Sequence, residues 1–355
     1  MKRFLYVIGF ISYGMIAQNN VCFEIQNYSN PNEPALSYFT KYVNVLDCFD
    51  IFAESGISDA KILHAAAVAA ELLDNNEDGI VDDPQIKSKL IEHSAMMPLL
   101  MYEGSNAEDA LFEHYEGDGI SAVLYNFEID PNQPGHWGDD ASVEEILHTI
   151  NHVGHTNVYP NAFGLNPNSS LLSEAMDVAR GGQFITFPGS YPEEAWYHYD
   201  DYTCDYECMA IEYLYWAIVS NMGILNDPQT CAGIANEWEP CTPELFENTD
   251  ELMYALITNP IYMLPSNAPD GNYCPEGMDL NKIKNRGSLI YPNPAKQSFN
   301  YFSDKRETLW IQSIDGKTIS SKQIFKGNNE INISQLKKGI YIIKVIDRMQ
   351  KLIVN

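Results

Sequence analysis

Positive charge is scarce over most of this 355-residue sequence. Residues 18–285 hold only 7 Lys or Arg against 44 Asp or Glu, and Arg180 is the only arginine among them. A segment this negative repels the phosphates of nucleic acids and the anionic surfaces of membranes. It attracts cations and basic substrates, although a solvated acidic surface in salty or calcium-rich water explains the composition equally well. We therefore expect no nucleic-acid partner.

Long apolar runs are also missing beyond the N-terminus. The first 17 residues, MKRFLYVIGFISYGMIA, combine a basic start, a short apolar run and a small residue at Ala17, which is the pattern of a secretory signal peptide. This run is too short to span a membrane, and no later stretch reaches the roughly 20 apolar residues that spanning requires. The sequence thus predicts a signal peptide at 1–17 and no membrane span.

Several common enzyme motifs are absent as well. There is no G-x-S-x-G nucleophile motif, no phosphate-binding loop and no dinucleotide-binding fingerprint, and no internal repeat is evident. These absences argue against the serine-hydrolase, nucleotide-hydrolysing and dinucleotide-dependent classes. The chemistry has to be sought among histidines and carboxylates.

The seven cysteines all follow the predicted signal peptide. Outside the cell they favour disulfides, and the odd number leaves at least one thiol unpaired in the monomer. Cys231 and Cys241 are the easiest local pair. Cys204 and Cys208 fit a disulfide or inert thiols better than metal-bound thiolates in that environment. The remaining connectivity is open.

The charge reverses near the C-terminus, where residues 286–355 hold 12 Lys or Arg and 5 Asp or Glu. Short alternating apolar runs broken by Gly, Asn and Pro are typical of a β-sandwich. The most specific pieces are YPNPA at 291–295, IDGKTI at 314–319, ISQLKKGIYIIKV at 333–345 and the terminal KLIVN.

These four ordered pieces make residues 285–355 resemble the C-terminal sorting domain of proteins exported by the type IX secretion system of Bacteroidetes. The resemblance implies the type IX machinery as a partner and passage through the periplasm and outer membrane. It also implies a secreted or cell-surface location. It says nothing about the activity of residues 18–284.

Residues 18–284 have mainly helical patterns. SDAKILHAAAVAAELLD is an Ala-rich helix with Ser58 as its cap, and DYECMAIEYLYWAIVSNMG is apolar on all sides and so expected to be buried. ISAVLYNFEI, at 120–129, is the best strand candidate. We therefore expect a mainly α (α+β) domain of catalytic type, followed by a small all-β, immunoglobulin-like sandwich.

The segment DNNEDGIVDD after the first long helix resembles the calcium loop of an EF-hand. Its oxygen-bearing residues alternate around Gly79, which permits the sharp turn. Gln85 replaces the usual bidentate glutamate, which lowers the expected affinity for a structural Ca²⁺; a plain Asn/Asp-rich turn is the alternative. The expected ligands are Asp74, Asn76, Asp78, Ile80 through its carbonyl, and Asp82.

The stretch EEILHTINHVGH, at 144–155, is the main candidate for a metal site. Ser142 and Glu145 form a capping-box pattern and Gly154 is a natural stop, so we expect a helix over 143–153. Helical spacing places two acids and two histidines on one face. Each of these residues also has a separate explanation: helix capping, the helix dipole or a hydrogen-bonded histidine in the core. The four are Glu144, Glu145, His148 and His152.

A third ligand is suggested by NSSLLSEAMDVARGG, a second capped helix. Together the two helices resemble the gluzincin, or thermolysin-like, zinc metallopeptidases. The resemblance implies Zn²⁺ bound by His148, His152 and Glu174, with Asp177 supporting a histidine, and a peptide or protein substrate. Glu212, an acid inside an apolar helix, is a fallback ligand or a structural acid.

The sequence departs from the gluzincins at Thr149, where those enzymes carry the catalytic glutamate. Losing a general base typically costs about 10² to 10⁴ in rate. Glu145, one helical turn earlier, is the candidate base if it does not serve as a cap. Tyr197 and His198 are candidate donors to a developing oxyanion, with a packed Tyr-rich loop as the alternative.

Two functions follow from these features. The first is a secreted metal-dependent hydrolase, zinc metallopeptidase-like, with a structural calcium site. The second is a calcium- and metal-binding surface or matrix protein that keeps a zincin-like frame without catalysis. The ordered third-ligand helix favours the enzyme, whereas Thr149 and the heavy negative charge favour the binding protein.

Overall fold

The computed structural model describes residues 22–30, 33–136, 138–275, 290–303, 306–313, 317–345 and 348–355. The chain separates into two compact units, Met1–Leu280 and Asn281–Asn355. The expected signal peptide at 1–17 lies outside the described residues. Within the described ranges, no helix combines the length and apolarity needed to cross a membrane.

The N-terminal unit is built on a five-stranded mixed sheet. The first three strands pair antiparallel, and the last two join in parallel. The third and fourth strands are almost entirely buried, as expected for parallel strands covered on both faces. In order across the sheet the strands are β1 (Gln26–Asn27), β2 (Phe39–Val45), β3 (Phe49–Glu54), β4 (Met96–Leu100) and β5 (Leu124–Tyr125).

Helices supply the rest of this unit. They are α1 (Asp59–Leu73), α2 (Pro84–Glu92), α3 (Asn106–His114), α4 (Ser142–Thr149), α5 (Thr156–Val158), α6 (Pro160–Phe163), α7 (Leu171–Ala179), α8 (Tyr206–Met222), α9 (Pro228–Ile234), α10 (Pro243–Thr249) and α11 (Glu251–Ile257). A π-helical turn, Ile150–His155, connects α4 to α5, and 3-10 turns occupy Pro34–Leu36 and Asn126–Glu128. The predicted cap of α1 is confirmed, because the Ser58 side chain accepts a hydrogen bond from the Lys61 amide. The predicted burial of α8 is confirmed along most of its length.

The N-terminal unit is rich in helix, as expected, but its sheet is larger than the one predicted strand. β2, β3 and β4 were not predicted, and β4 is a short run of five buried residues, which cannot be told from a helix segment by periodicity. Only Leu124–Tyr125 of the predicted strand at 120–129 pairs with the sheet, because the chain turns into a 3-10 helix at Asn126. The N-terminal unit is therefore mixed α/β.

The C-terminal unit is all β, as predicted. Its two antiparallel sheets have the orders β10-β7-β6 and β12-β11-β8-β9. Phe299, Leu309 and Ile343, from both sheets, are buried in one apolar core. The strands are β6 (Ile290–Tyr291), β7 (Ser298–Ser303), β8 (Glu307–Ser313), β9 (Thr318–Ile324), β10 (Gly327–Asn332), β11 (Gly339–Val345) and β12 (Arg348–Val354).

Three disulfides stabilise the N-terminal unit. The expected local pair Cys231–Cys241 is formed, and Cys204–Cys208 is a disulfide rather than a thiolate pair for a metal. Cys22–Cys274 joins two residues 252 apart in sequence. Cys48 is the remaining thiol and is buried.

Candidate metal centre

A cleft of about 450 Å³ lies between α4, the π turn and α8. Its size is within the range of small-ligand sites. The cleft combines acids and histidines with a few apolar side chains. The acids and histidines are Glu144, Glu145, His148, His152, Glu207 and Glu212. The apolar lining includes Ala122, Leu165 and Ile211, and Tyr199 also lines the cleft.

Helix α4 presents its acids to this cleft because its apolar side chains face the core. Ile146 and Leu147 are fully buried on the core side. The expected capping box is not formed: the Ser142 hydroxyl donates to Asp140 Oδ1 at 2.7 Å, and the N-cap residue Ala141 offers no side-chain bond. Glu145 is therefore not used as a cap and remains in the cleft lining.

The helix does not stop at Gly154 as predicted. It continues through the π turn, in which the Thr156 amide donates to the Asn151 carbonyl five residues back. A Cβ at Gly154 would lie 2.9 Å from Ile86 Cγ2, so the glycine permits close packing against α2. The wider π turn displaces His152 from the α-helical position above His148, and such turns often occur at functional sites.

Glu144, His148 and Glu212 form the core of the site. Within the described part of the chain, they are the one group of three or more His, Cys, Asp or Glu residues whose ligand atoms all lie within 4.8 Å of one another. His148 Nε2 lies 3.4 Å from Glu212 Oε2, and its Nδ1 lies 3.5 Å from Glu145 Oε2. One imidazole and two carboxylates are a donor set that Zn²⁺ accepts.

The burial of His148 supports a cation at this position. The residue is only 6% exposed, and its Nε2 makes no hydrogen bond with any described residue. The 3.4 Å contact with Glu212 Oε2 is longer than a well-formed hydrogen bond, so a cation between the two groups would satisfy both. On its other side the ring meets Tyr215 edge to face, with 5.5 Å between ring centroids, which fixes its plane.

The crowded carboxylates change the proton affinity of the group. Burial, reinforced by the charges of Glu212 and Glu145, raises the pKa of Glu144 to about 8. Burial by itself lowers the pKa of His148, but the Glu212 and Glu145 carboxylates outweigh it and raise that pKa well above the usual value. Without a cation, the group therefore holds protons near neutral pH.

The structure places the predicted ligand Glu174 outside the cleft. One side of α7 faces the core through the buried residues Leu172, Ala175 and Met176. Glu174 lies on the other, exposed side of the helix. Asp177 does not support a histidine; it accepts hydrogen bonds from Arg180 at 3.0 Å and from the Tyr206 hydroxyl at 2.9 Å. The carboxylate that lies close to His148 and Glu144 is instead that of Glu212 on α8.

The predicted oxyanion donors are also used elsewhere. Tyr197 is fully buried, and its hydroxyl donates to the Met209 carbonyl at 2.7 Å. His198 Nε2 lies 2.8 Å from the Ala195 carbonyl. Neither residue lines the cleft, whereas their neighbour Tyr199 does.

The predicted calcium loop is held by its own hydrogen bonds. The buried Asp74 carboxylate accepts from the Gly79 amide at 2.7 Å, the Asp78 amide at 3.2 Å and the Tyr273 hydroxyl at 2.5 Å. Gly79 adopts φ +91°, a conformation that favours glycine. In the described ranges its aspartates do not converge into a group of the kind formed around His148. The Ca²⁺ site, including Asn76, Ile80 and Asp82, stays a prediction.

Comparisons with known proteins bear on the two units differently. Residues 289–355 match the family model described as the secretion system C-terminal sorting domain. Neither the curated proteins nor the solved structures include a match to this chain. The tail therefore identifies the chain as cargo of the type IX machinery, destined for secretion or the cell surface. The activity of the N-terminal unit has to be inferred from its own residues.

Proposed function

We propose that the N-terminal unit is a secreted, divalent-metal-dependent hydrolase that binds Zn²⁺ through Glu144, His148 and Glu212. The observation that carries this proposal is the convergence of these three side chains in a cleft. Three protein ligands with one open position are the usual arrangement of a catalytic zinc site. When bound, the ion supplies Lewis-acid chemistry at a substrate carbonyl.

The two carboxylate ligands come from different helices, and they repel one another when both are ionised. Glu144 is on α4 and Glu212 is on α8. A divalent ion would convert that repulsion into attraction and connect the two helices. The raised pKa of Glu144 is consistent with a site built for a cation, since burial penalises its charge in the free protein.

Glu145 has two roles in this proposal. Its Oε2 lies near His148 Nδ1, so it orients the imidazole with Nε2 toward the ligand group, as carboxylates behind metal-bound histidines do. It also lines the cleft and is not used as a cap, so its carboxylate is the candidate acceptor of a proton from water. Thr149 cannot take that role, because it is fully buried and does not ionise.

A peptide is the substrate class that we propose. Ser121 and Ala122, just before β5, line the cleft together with residues of the helices. An extended chain can use the backbone of such residues for hydrogen bonds. Leu165 and Ile211 give the cleft apolar surface for side chains.

Metal analysis of the purified full-length protein tests the site. We expect one equivalent of zinc per chain, lost in both His148→Ala and Glu212→Gln. Glu174→Gln is the matched control and keeps its zinc, because Glu174 is exposed outside the cleft. Absence of stoichiometric metal, or its retention in His148→Ala, would contradict the proposal.

A second candidate is metal binding without catalysis, and the threonine at position 149 favours it. Hydrolysis of a mixed peptide library by zinc-loaded wild type and Glu145→Gln separates the two. Hydrolysis by the wild type that falls by about 10² or more in the variant supports the enzyme with Glu145 as base. No hydrolysis by either protein favours the binding function, and equal activity removes Glu145 as base.

A further inference from the structure

The cleft contains four glutamates, and the proposed centre uses only three of them. Glu144 and Glu212 are the carboxylate ligands, and Glu145 contacts His148. Glu207 is the fourth. It is exposed in the first turn of α8, and none of the described residues hydrogen-bonds its carboxylate. Its charge is therefore available to a ligand.

No lysine or arginine of the described part of the chain offsets this charge. Among the described residues, neither Lys nor Arg lines the cleft. Arg180 is fully buried against Asp177, and Lys89 pairs with Glu92. A divalent ion balances two of the four carboxylates, so a net negative charge remains for the substrate to meet.

The spacing along α8 separates Glu207 from the proposed metal ligand Glu212. Glu207 and Glu212 lie five residues apart on the cleft side of the helix, which is about 7.5 Å along its axis. Ile211 lies between them, and Leu165 adds apolar surface. A basic side chain has the matching shape, because its apolar stem packs on such residues while its charged head reaches a carboxylate.

The backbone at Glu207 is held by its neighbours. The Cys204–Cys208 disulfide spans it, and the Asp205 side chain caps the helix by accepting from the Cys208 amide at 3.1 Å. At the other end, the buried His148 Nε2 lies 3.4 Å from Glu212 Oε2 and makes no hydrogen bond with a described residue, which points to a ligand in this cleft. The cleft thus has a proposed metal end and an acidic end at the first turn of α8.

We infer that Glu207 is a specificity-determining residue. It selects peptides in which a Lys or Arg side chain lies next to the peptide bond bound at the proposed zinc site. This inference rests on the proposed peptide-hydrolase function, since it names the substrate class for the same cleft. Glu207 contacts the substrate but takes no part in metal binding.

Equilibrium binding to the zinc-loaded full-length protein tests the inference apart from catalysis. Two labelled peptides that differ only in one lysine or acetyl-lysine are compared by fluorescence anisotropy. We expect the lysine peptide to bind about two- to fivefold more tightly, the size of one ion pair at an exposed position. Rising salt should reduce the preference. Glu207→Gln should remove it without changing the zinc content.

Glu247→Gln is the matched control, since Glu247 is an exposed glutamate on α10 outside the cleft. It should keep the preference. Three results would overturn the inference: equal binding of the two peptides by the wild type, binding of neither peptide, or a lysine preference that is retained in Glu207→Gln. Hydrolysis without a lysine preference would overturn only this inference, whereas absence of zinc would overturn the proposed function itself.

Discussion

At the scale of single residues, His148 is the point on which the site depends. The local pattern of two histidines at helical spacing beside acids indicated His148 and His152 equally, whereas the structure brings only His148 together with two carboxylates. Its partner was not predictable in the same way. Glu174 and Glu212 are both acids on later helices, and only tertiary packing decides which of them meets His148.

The affinity for zinc should rise with pH. Glu144, with its pKa raised to about 8, and His148, with its pKa raised well above the usual value, hold protons below those pKa values. Zinc displaces protons, so binding is weakest at low pH and strengthens as the pH rises toward 8. Competition with a chelator at pH 6, 7 and 8 should show about a tenfold gain per pH unit for each proton displaced. An affinity independent of pH would contradict this linkage.

Thr149→Val tests whether residue 149 has any role in the site. Thr149 is fully buried, and its hydroxyl has no hydrogen-bond partner among the described residues. Replacing it by a methyl group of similar shape should raise the free energy of unfolding by about 1 kcal/mol. Zinc content should not change. Chemical denaturation measures the effect, and a less stable variant would show that the hydroxyl has a partner.

At the scale of secondary-structure elements, the helix that carries the site was predicted, but its end was not. A glycine after a periodic helix usually marks a stop. Here Gly154 continues the helix, because α2 approaches it closely. The π turn likewise has no sequence signal in this stretch. The cleft therefore depends on a helix geometry that local patterns do not encode.

Gly154→Ala should destabilise the N-terminal unit by about 1–3 kcal/mol, because its new Cβ would lie 2.9 Å from Ile86 Cγ2. In an Ile86→Ala background, which removes that atom, the same substitution should cost much less. Urea denaturation of the four proteins measures this double-mutant cycle. An equal cost in both backgrounds would contradict the packing explanation.

The predicted calcium loop can be tested as an element. Millimolar Ca²⁺ should raise the thermal midpoint of the wild type, because an ion that binds only the folded state stabilises it. Asp78→Ala should lose this response, since Asp78 occupies an expected ligand position and is exposed. Asp109→Ala, at an exposed aspartate of α3, should keep it. A wild type that does not respond to Ca²⁺ would favour a plain turn.

At the scale of the whole molecule, location and chemistry belong to different parts of the chain. The tail was predictable because its four short pieces are contiguous and ordered, and residues 289–355 match the sorting-domain family. The fold of the N-terminal unit was predicted less well. Its central strands have both faces buried and so lack the alternation that reveals a strand. The proposed metal centre joins residues of α4 and α8, which only the complete fold brings together.

X-ray absorption at the zinc edge of the loaded full-length protein tests the central claim most directly. The proposed ligands predict one imidazole and carboxylate oxygens around the ion, with no sulfur. His148→Ala should abolish the bound-zinc spectrum. Two imidazoles, which would make His152 a ligand, would contradict the centre formed by Glu144, His148 and Glu212, as would a sulfur ligand or the absence of bound zinc.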